Sequence, residues 1–348
     1  MSDFRAFLET LGLVPPPVIV PDGKWRRCRT VDKPRKKNGS YAIDGRGGAA
    51  LNWATMTEPA LWRPHGESVP DFDPDALNQA RREQRRKLHT ATLAARAYYE
   101  SLEPLRDGHP YLEAHNLDMS GCYGLRRDVD GRAWDAAMNA YLVAEGRDPL
   151  RRHPVPDGGW IVVPAFCGST LMTVQRIAPD GGKLFYPGAS PRGACYVIDR
   201  HMPAINVLCE GLATGLAIFA SFSLVRVYVA FSTGNLLAVG EKMPAGMACV
   251  ASDNDTATEA RTGSNPGIVA ATAAAQALGV GVAVPTDMPD GCSDWSDWRN
   301  ARVAARIEAW TRGPHETESG IRRAVDAQLA MEIQRAATFR APQMEGVG

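Results

Sequence analysis

The sequence predicts an α/β protein built around a parallel sheet buried on both faces. Three observations predict it. Between Ile205 and Asp297, four short runs rich in Val and Ile alternate with Ala/Leu-rich runs of helical length, the order of a β-α-β-α-β-α-β unit. Acids stand at the ends of these runs: Glu210 after Ile205–Cys209, Asp253 and Asp255 after residues 247–252, Asp294 and Asp297 beyond residues 280–284. Open parallel sheets bind ligands outside the carboxyl ends of their strands, so the three clusters should converge on one edge. Crowded carboxylates repel unless a cation lies between them, and oxygen-only ligands favour Mg²⁺ or Mn²⁺.

The other elements follow in chain order. Residues 2–13 start with a capping Ser and carry apolar residues at helical spacing, so a short amphipathic helix is expected before Pro15-Pro16-Pro17 stops it. The stretch 21–38 holds Lys24, Arg26, Arg27, Arg29, Lys33, Arg35, Lys36 and Lys37 against Asp22 and Asp32, with Trp25 and Tyr41 interleaved. Bases with aromatics can follow a phosphate backbone and stack exposed bases; the same residues also suit a solvated surface hairpin. Gly39–Ile43 and the run around Leu51 suggest a small antiparallel sheet. A Pro-rich linker and a basic helix follow, over residues 62–74 and 74–102. Residues 159–166 and 169–177 read as two strands around a tight turn, and residues 184–199 as the end of a meander. Here Arg176 lies near a strand end, Lys183 follows a Gly-Gly turn, and Arg192 sits in a Gly/Pro-rich loop, placements that suit phosphate or a nucleic-acid strand; on residue types alone they suit a β-hairpin with ordinary surface charge equally well.

The 348 residues can bury a large core in two or three domains. Lys plus Arg number 39 and Asp plus Glu number 39, so binding to nucleic acid must come from local basic patches, not a global field. The seven cysteines are scattered without a Cys-x-x-Cys pair, so neither a disulfide framework nor zinc is expected. No signal peptide and no apolar run of membrane-spanning length is visible, and a cytoplasmic location is expected, with no membrane partner.

The sequence EGLATGLAIF from Glu210, the Asp253-Asn254-Asp255 run, the following SNPGIVAATAAAQALG and the Asp-Trp-x-Asp at Asp294–Asp297 resemble the Toprim domain, closest to its phage- and plasmid-encoded primase branch. The resemblance covers about residues 107–312, because His109-Pro110-Tyr111-Leu112 and Cys122–Arg126 look like that branch's polymerase subdomain. It implies a Toprim-type parallel sheet flanked by helices, preceded by a mixed α+β subdomain and a small N-terminal module. The expected regions are an N-terminal template-binding-like module without zinc ligands (1–73), a basic helix and linker (74–106), a basic polymerase subdomain (107–203), a Toprim catalytic domain (204–312) and a C-terminal helical tail (313–348).

The implied activity is that of a DNA primase, making short RNA primers de novo on single-stranded DNA from ribonucleoside triphosphates by two-metal nucleotidyl transfer. Two cations about 4 Å apart activate the attacking hydroxyl and stabilise the leaving group. Asp253 and Asp255 are the expected metal ligands, Glu210 a ligand or general base. Asp294 and Asp297 hold the second ion or cap the helix that follows them. Arg176, Lys183 and Arg192 would meet nucleotide and template; Lys24, Arg26, Arg27, Arg29, Arg35, Lys36 and Lys37 would meet nucleic acid. His109 reads as structural. No G-x-x-x-x-G-K-[ST] pattern occurs, so a helicase would be a separate partner, docking through the C-terminal tail. A Toprim nuclease, using the same acids to cut, and an inactive replication adaptor that binds nucleic acid are the alternatives.

Overall fold

The computed structural model describes residues 2–32, 34, 37–44, 47–53, 55–56, 59–64, 74–106, 108–149, 155–199, 202–222, 224–310 and 317–338. The chain divides into two compact units, Met1–Arg81 and Arg82–Gly348.

In the first unit, α1 (Ser2–Thr10) lies against a five-stranded antiparallel sheet: β1 (Leu13–Val14), β2 (Arg26–Thr30), β3 (Gly39–Ile43), β4 (Gly48–Asn52) and β5 (Ala60–Trp62), in sequence order. Phe4 and Leu8 of α1 insert among Leu13, Cys28, Tyr41, Ile43 and Ala50. Glycine at position 48 makes room for them, since a Cβ there would lie 2.5 Å from the Phe4 ring. The period of two in β2 buries Cys28 and Thr30 and leaves Arg27 and Arg29 exposed. Arg27 sits over the exposed Trp53 ring at 5.2 Å. Arg26 instead pairs with Asp22.

The second unit has two sheets. α2 (Pro74–Glu100) runs into it across the division, followed by β6 (Glu103–Pro104), α3 (Pro110–Ala114), β7 (Arg126–Asp128), α4 (Arg132–Ala144), β8 (Trp160–Cys167), β9 (Thr170–Ile177) and β10 (Lys183–Phe185). The strands form an antiparallel sheet in the order β10-β9-β8-β7-β6. One face packs on α2 and α4 through Tyr98, Trp134, Met138, Val162 and Val174. The other face presents Ile161, Val163, Ala165 and Ile177 to the core of the next sheet.

That next sheet contains β11 (Tyr196–Ile198), β12 (Ile205–Cys209), β13 (Val225–Val229), β14 (Ala248–Ala251) and β15 (Gly281–Ala283), in the order β11-β13-β12-β14-β15. β12, β13, β14 and β15 are parallel, as the four apolar runs predict. β11, expected to finish the preceding meander, joins this sheet antiparallel to β13. The helices are α5 (Leu212–Ser221), α6 (Leu236–Gly240), α7 (Thr256–Thr262), α8 (Pro266–Leu278), α9 (Trp295–Trp310) and α10 (Glu318–Ala337). α6 and α8 cover Leu208, Tyr228 and Val250 on one face. α5, α9 and α10 cover Val207, Val227, Cys249 and Ala251 on the other. Both faces are therefore dry, which is why every residue of β12 is buried.

The helix expected as a tail or helicase dock is a core element. Ile321, Val325, Leu329 and Ile333, one turn apart along α10, are fully buried. Segments 107–203, 204–312 and 317–338 thus share one hydrophobic core. Among the described residues, no helix is long and apolar enough to cross a membrane.

Candidate active site

The acids lie where the parallel strands end. Glu210 is the residue after β12, and its carbonyl accepts from Phe231 N–H at 2.8 Å just past β13. Phe231 holds a left-handed φ of 68°, an uncommon conformation for an aromatic residue and one often found beside functional groups. Asp253 follows β14. Its backbone is pinned from two sides: Ser252 Oγ donates to its carbonyl at 2.6 Å, and a Cβ on Gly267 would come within 2.7 Å of that oxygen. Asn254 steadies the same loop, donating to Pro285 O at 2.8 Å and accepting from Asn265 at 2.9 Å.

The electrostatics show which acids meet. Burial pushes the Asp253 carboxyl from 3.8 up to about 7, with the negative charges of Glu210 and Asp294 adding to the rise. A hydrogen bond from Thr214 Oγ1 to Asp253 Oδ1 (3.0 Å) and the Lys183 ammonium oppose it. Asp294 is also raised, by burial and then by Asp297, against the Asp297 amide, His115 and Lys183. Burial raises the Tyr111 phenol, followed by the charges of Asp294, Asp297 and Asp253. The charges of Glu210 and Asp294 thus bear on Asp253, and that of Lys183 opposes them.

The remaining acids have local roles. Asp294 caps α9, accepting from Asp297 N at 2.9 Å, while Asp297 Oδ2 accepts from Ser293 N at 2.9 Å. The helix-capping alternative for this pair is realised, although the charge of Asp294 also bears on Asp253. Asp255 caps α7: its carboxylate accepts from the Thr258 amide at 2.8 Å and from the Thr258 hydroxyl, and these bonds hold its carboxyl below the usual range. Among the described residues, no three His, Cys, Asp or Glu side chains are drawn up as a ready metal cage.

Register separates the basic residues. Lys183 pairs with Ile177 and so lies on the sheet face turned toward the parallel sheet. A Cβ on Gly211, next to Glu210, would stand 3.9 Å from Lys183 Nζ. Arg176 is one position out of phase with Ile177 and enters the opposite face. There it is 2% exposed, with Trp134 at 4.3 Å, Trp160 at 4.1 Å and Asp128 at 3.8 Å. The expectation that Arg176 meets phosphate or template does not survive this burial; it is a core cation stacked on two indoles. Arg192 is exposed in a loop held by buried Asn235, which accepts from Gly193 N at 2.6 Å and donates to the carbonyls of Pro191, Ala194 and Ala230. Lys24, Arg27, Arg29 and Lys37 are exposed on the first unit; Arg35 and Lys36 lie outside the described residues. His109 caps α3 through Nδ1, accepting from Tyr111 N at 3.1 Å, the structural role expected of it.

Thr214, His115 and Tyr111 were not legible as site residues. Thr214 had one signal, being the only hydroxyl in the apolar run before Ser221. A cavity of about 500 Å³ between α8, β15 and α10 is lined by Thr272, Val280, Val282, Glu332 and Arg335, and the acids take no part in it.

No sequence-family model matches the chain. It is 27% identical over 304 residues to the DNA primase TraC of Escherichia coli, across 80% of this chain and 26% of that protein. The chain is similar to a DNA primase. The expected resemblance to primases is borne out at this level, and the chain spans about a quarter of the relative's length. A solved structure described as the DnaG primase catalytic domain bound to ssDNA gives a TM-score of 0.39 at 14% identity, over 69% of this chain and 84% of that one.

Proposed function

We propose that the chain is a DNA primase that joins ribonucleotides on single-stranded DNA at the Glu210–Asp253–Asp294 edge of a Toprim-type sheet. The observation that carries the reading is a buried carboxylate, Asp253, at the carboxyl end of a parallel strand, on which the charges of Glu210 and Asp294 bear, with Lys183 near Gly211. Similarity to a primase over most of the chain supports it.

The donor set fits a hard divalent cation. Every donor is a carboxylate oxygen, and mutual repulsion in a dry site is the condition that such a cation relieves. Glu210, Asp253 and Asp294 would hold it, with Asp255 and Asp297 as further oxygen ligands for a second ion. Bound Mg²⁺ or Mn²⁺ would supply Lewis-acid stabilisation of the phosphate and of the attacking hydroxyl. The protein's own groups do the rest. Lys183 neutralises phosphate oxygens next to the acids, and Arg192, exposed in its clasped loop, would meet template phosphates. Glu210 acts as a ligand or as the base that takes the proton of the attacking hydroxyl. On the first unit, Lys24, Arg27, Arg29 and Lys37 would follow the template phosphates, with Trp53 offering an exposed ring for a base.

The test is primer synthesis on single-stranded DNA with four ribonucleotides and Mg²⁺ or Mn²⁺. The unsubstituted chain should make short RNA, and Asp253→Ala/Asp255→Ala should lower the yield by at least about a hundredfold. Metal-dependent cleavage of the template without synthesis would replace the primase reading with a nuclease.

A further inference from the structure

Thr214 is a fully buried hydroxyl in a helix of otherwise apolar residues and glycine up to Ser221. Helical Thr commonly turns its hydroxyl back on its own helix. Here Oγ1 reaches across to the end of β14 and donates to Asp253 Oδ1 at 3.0 Å. The next residue explains how α5 comes close enough. A Cβ on Gly215 would stand 2.9 Å from Val229 Cγ2 and 3.2 Å from Ile198 Cδ1, so only glycine lets this turn press onto the sheet. The backbone of Asp253 is already pinned by Ser252 and by the close approach of Gly267. Its side chain has little freedom left once Thr214 holds one oxygen.

We propose that Thr214 is a positioning residue that holds Oδ1 of Asp253 and so fixes the orientation in which this carboxylate meets a divalent cation. This rests on the reading that Asp253 meets such a cation, and goes beyond it by assigning the orientation to a residue that itself touches neither metal nor substrate. A carboxylate oxygen can accept this bond and still meet a cation, so the bond fixes the plane of the carboxylate and the direction in which it meets the ion before the ion binds. Partners of this kind, one bond behind the ligand, typically change metal affinity by roughly 10- to 100-fold when removed.

The experiment measures Mn²⁺ binding to the full chain by electron paramagnetic resonance of the free ion, with no substrate present. Four proteins are compared with the unsubstituted chain: Thr214→Ser, Thr214→Val, Thr214→Ala and Asp253→Asn. Thermal melting without metal shows which are folded, and Thr214→Ala serves as the donor-free variant if Thr214→Val is not. The expected result is Mn²⁺ affinity close to the original in Thr214→Ser and weaker by at least about tenfold in the donor-free variant. Primer synthesis by that variant should recover at saturating Mn²⁺, so the metal requirement rises while the maximal rate changes little. A folded donor-free variant that binds Mn²⁺ as tightly as the original would overturn the role of Thr214 and leave the primase reading standing. Absence of Mn²⁺ binding in the unsubstituted chain, with no primers made, would overturn both.

Discussion

Asp253 ends β14 with its carboxyl buried and two like charges bearing on it, and the sign of its pH dependence follows. Without metal, the folded chain keeps a proton on Asp253 that the unfolded chain releases near 3.8. The stability this contributes is complete below 3.8 and is lost as pH rises through about 7. The displacement sets a ceiling of roughly 4 kcal/mol. Asp253→Asn, which cannot ionise, should gain stability relative to the original between pH 5 and pH 8. Urea unfolding in EDTA at the two pH values checks this, and parallel stability losses in both proteins would refute it. Arg176 gives a contrasting residue-scale prediction. Arg176→Leu leaves buried Asp128 without its cation, although Tyr98 and the Gly131 amide still donate to it. Stability should fall by about 3 kcal/mol, while the nucleotide KM of the folded variant stays put. Lys183→Ala should do the reverse, raising the KM with little effect on the urea midpoint. Both bases were legible as strand-end cations. Which one comes near Gly211 depended on strand register, because a shift of one residue turns a side chain to the other face.

At the scale of elements, α10 changes the organisation of the second unit most. Its apolar stripe, Ile321, Val325, Leu329 and Ile333, was present in the sequence, but a stripe does not say which surface receives it. Here it is the face of the parallel sheet shared with α5 and α9. Leu329→Ala should cost about 2–5 kcal/mol by opening a cavity under the sheet, read as a lowered midpoint in urea. An unchanged midpoint would mean that the helix is dispensable to the core. The acid-bearing loops were easier to anticipate, because strand ends follow directly from the alternation of apolar runs. The capping roles of Asp255 and Asp297 follow from Thr258 and Ser293 lying within a turn of them. Both capping geometries are local, and the sequence offers capping as an alternative for the Asp294–Asp297 pair but not for Asp255.

For the whole molecule, a formal charge of zero leaves no global field to draw in nucleic acid, so affinity must come from local bases. Arg27 and Arg29 share the exposed side of β2, with Arg27 over Trp53. If both meet phosphates, Arg27→Ala/Arg29→Ala should weaken single-stranded DNA binding and reduce the logarithmic salt slope by about 1 to 2. Fluorescence anisotropy at several salt concentrations measures it; an unchanged slope would remove this surface from the template path. The sequence by itself determined the four parallel strands, the acids at their ends and the small antiparallel sheet of the first unit. These rest on periodicity and chain order, which are local properties. Tertiary structure alone decided that the charge of Asp294 bears on Asp253 while Asp255 caps a helix, that Lys183 comes near Gly211 while Arg176 enters the core, that Thr214 holds Asp253, and that α10 closes the core. Each of these depends on which surfaces meet across the fold, and distance along the chain carries no record of that.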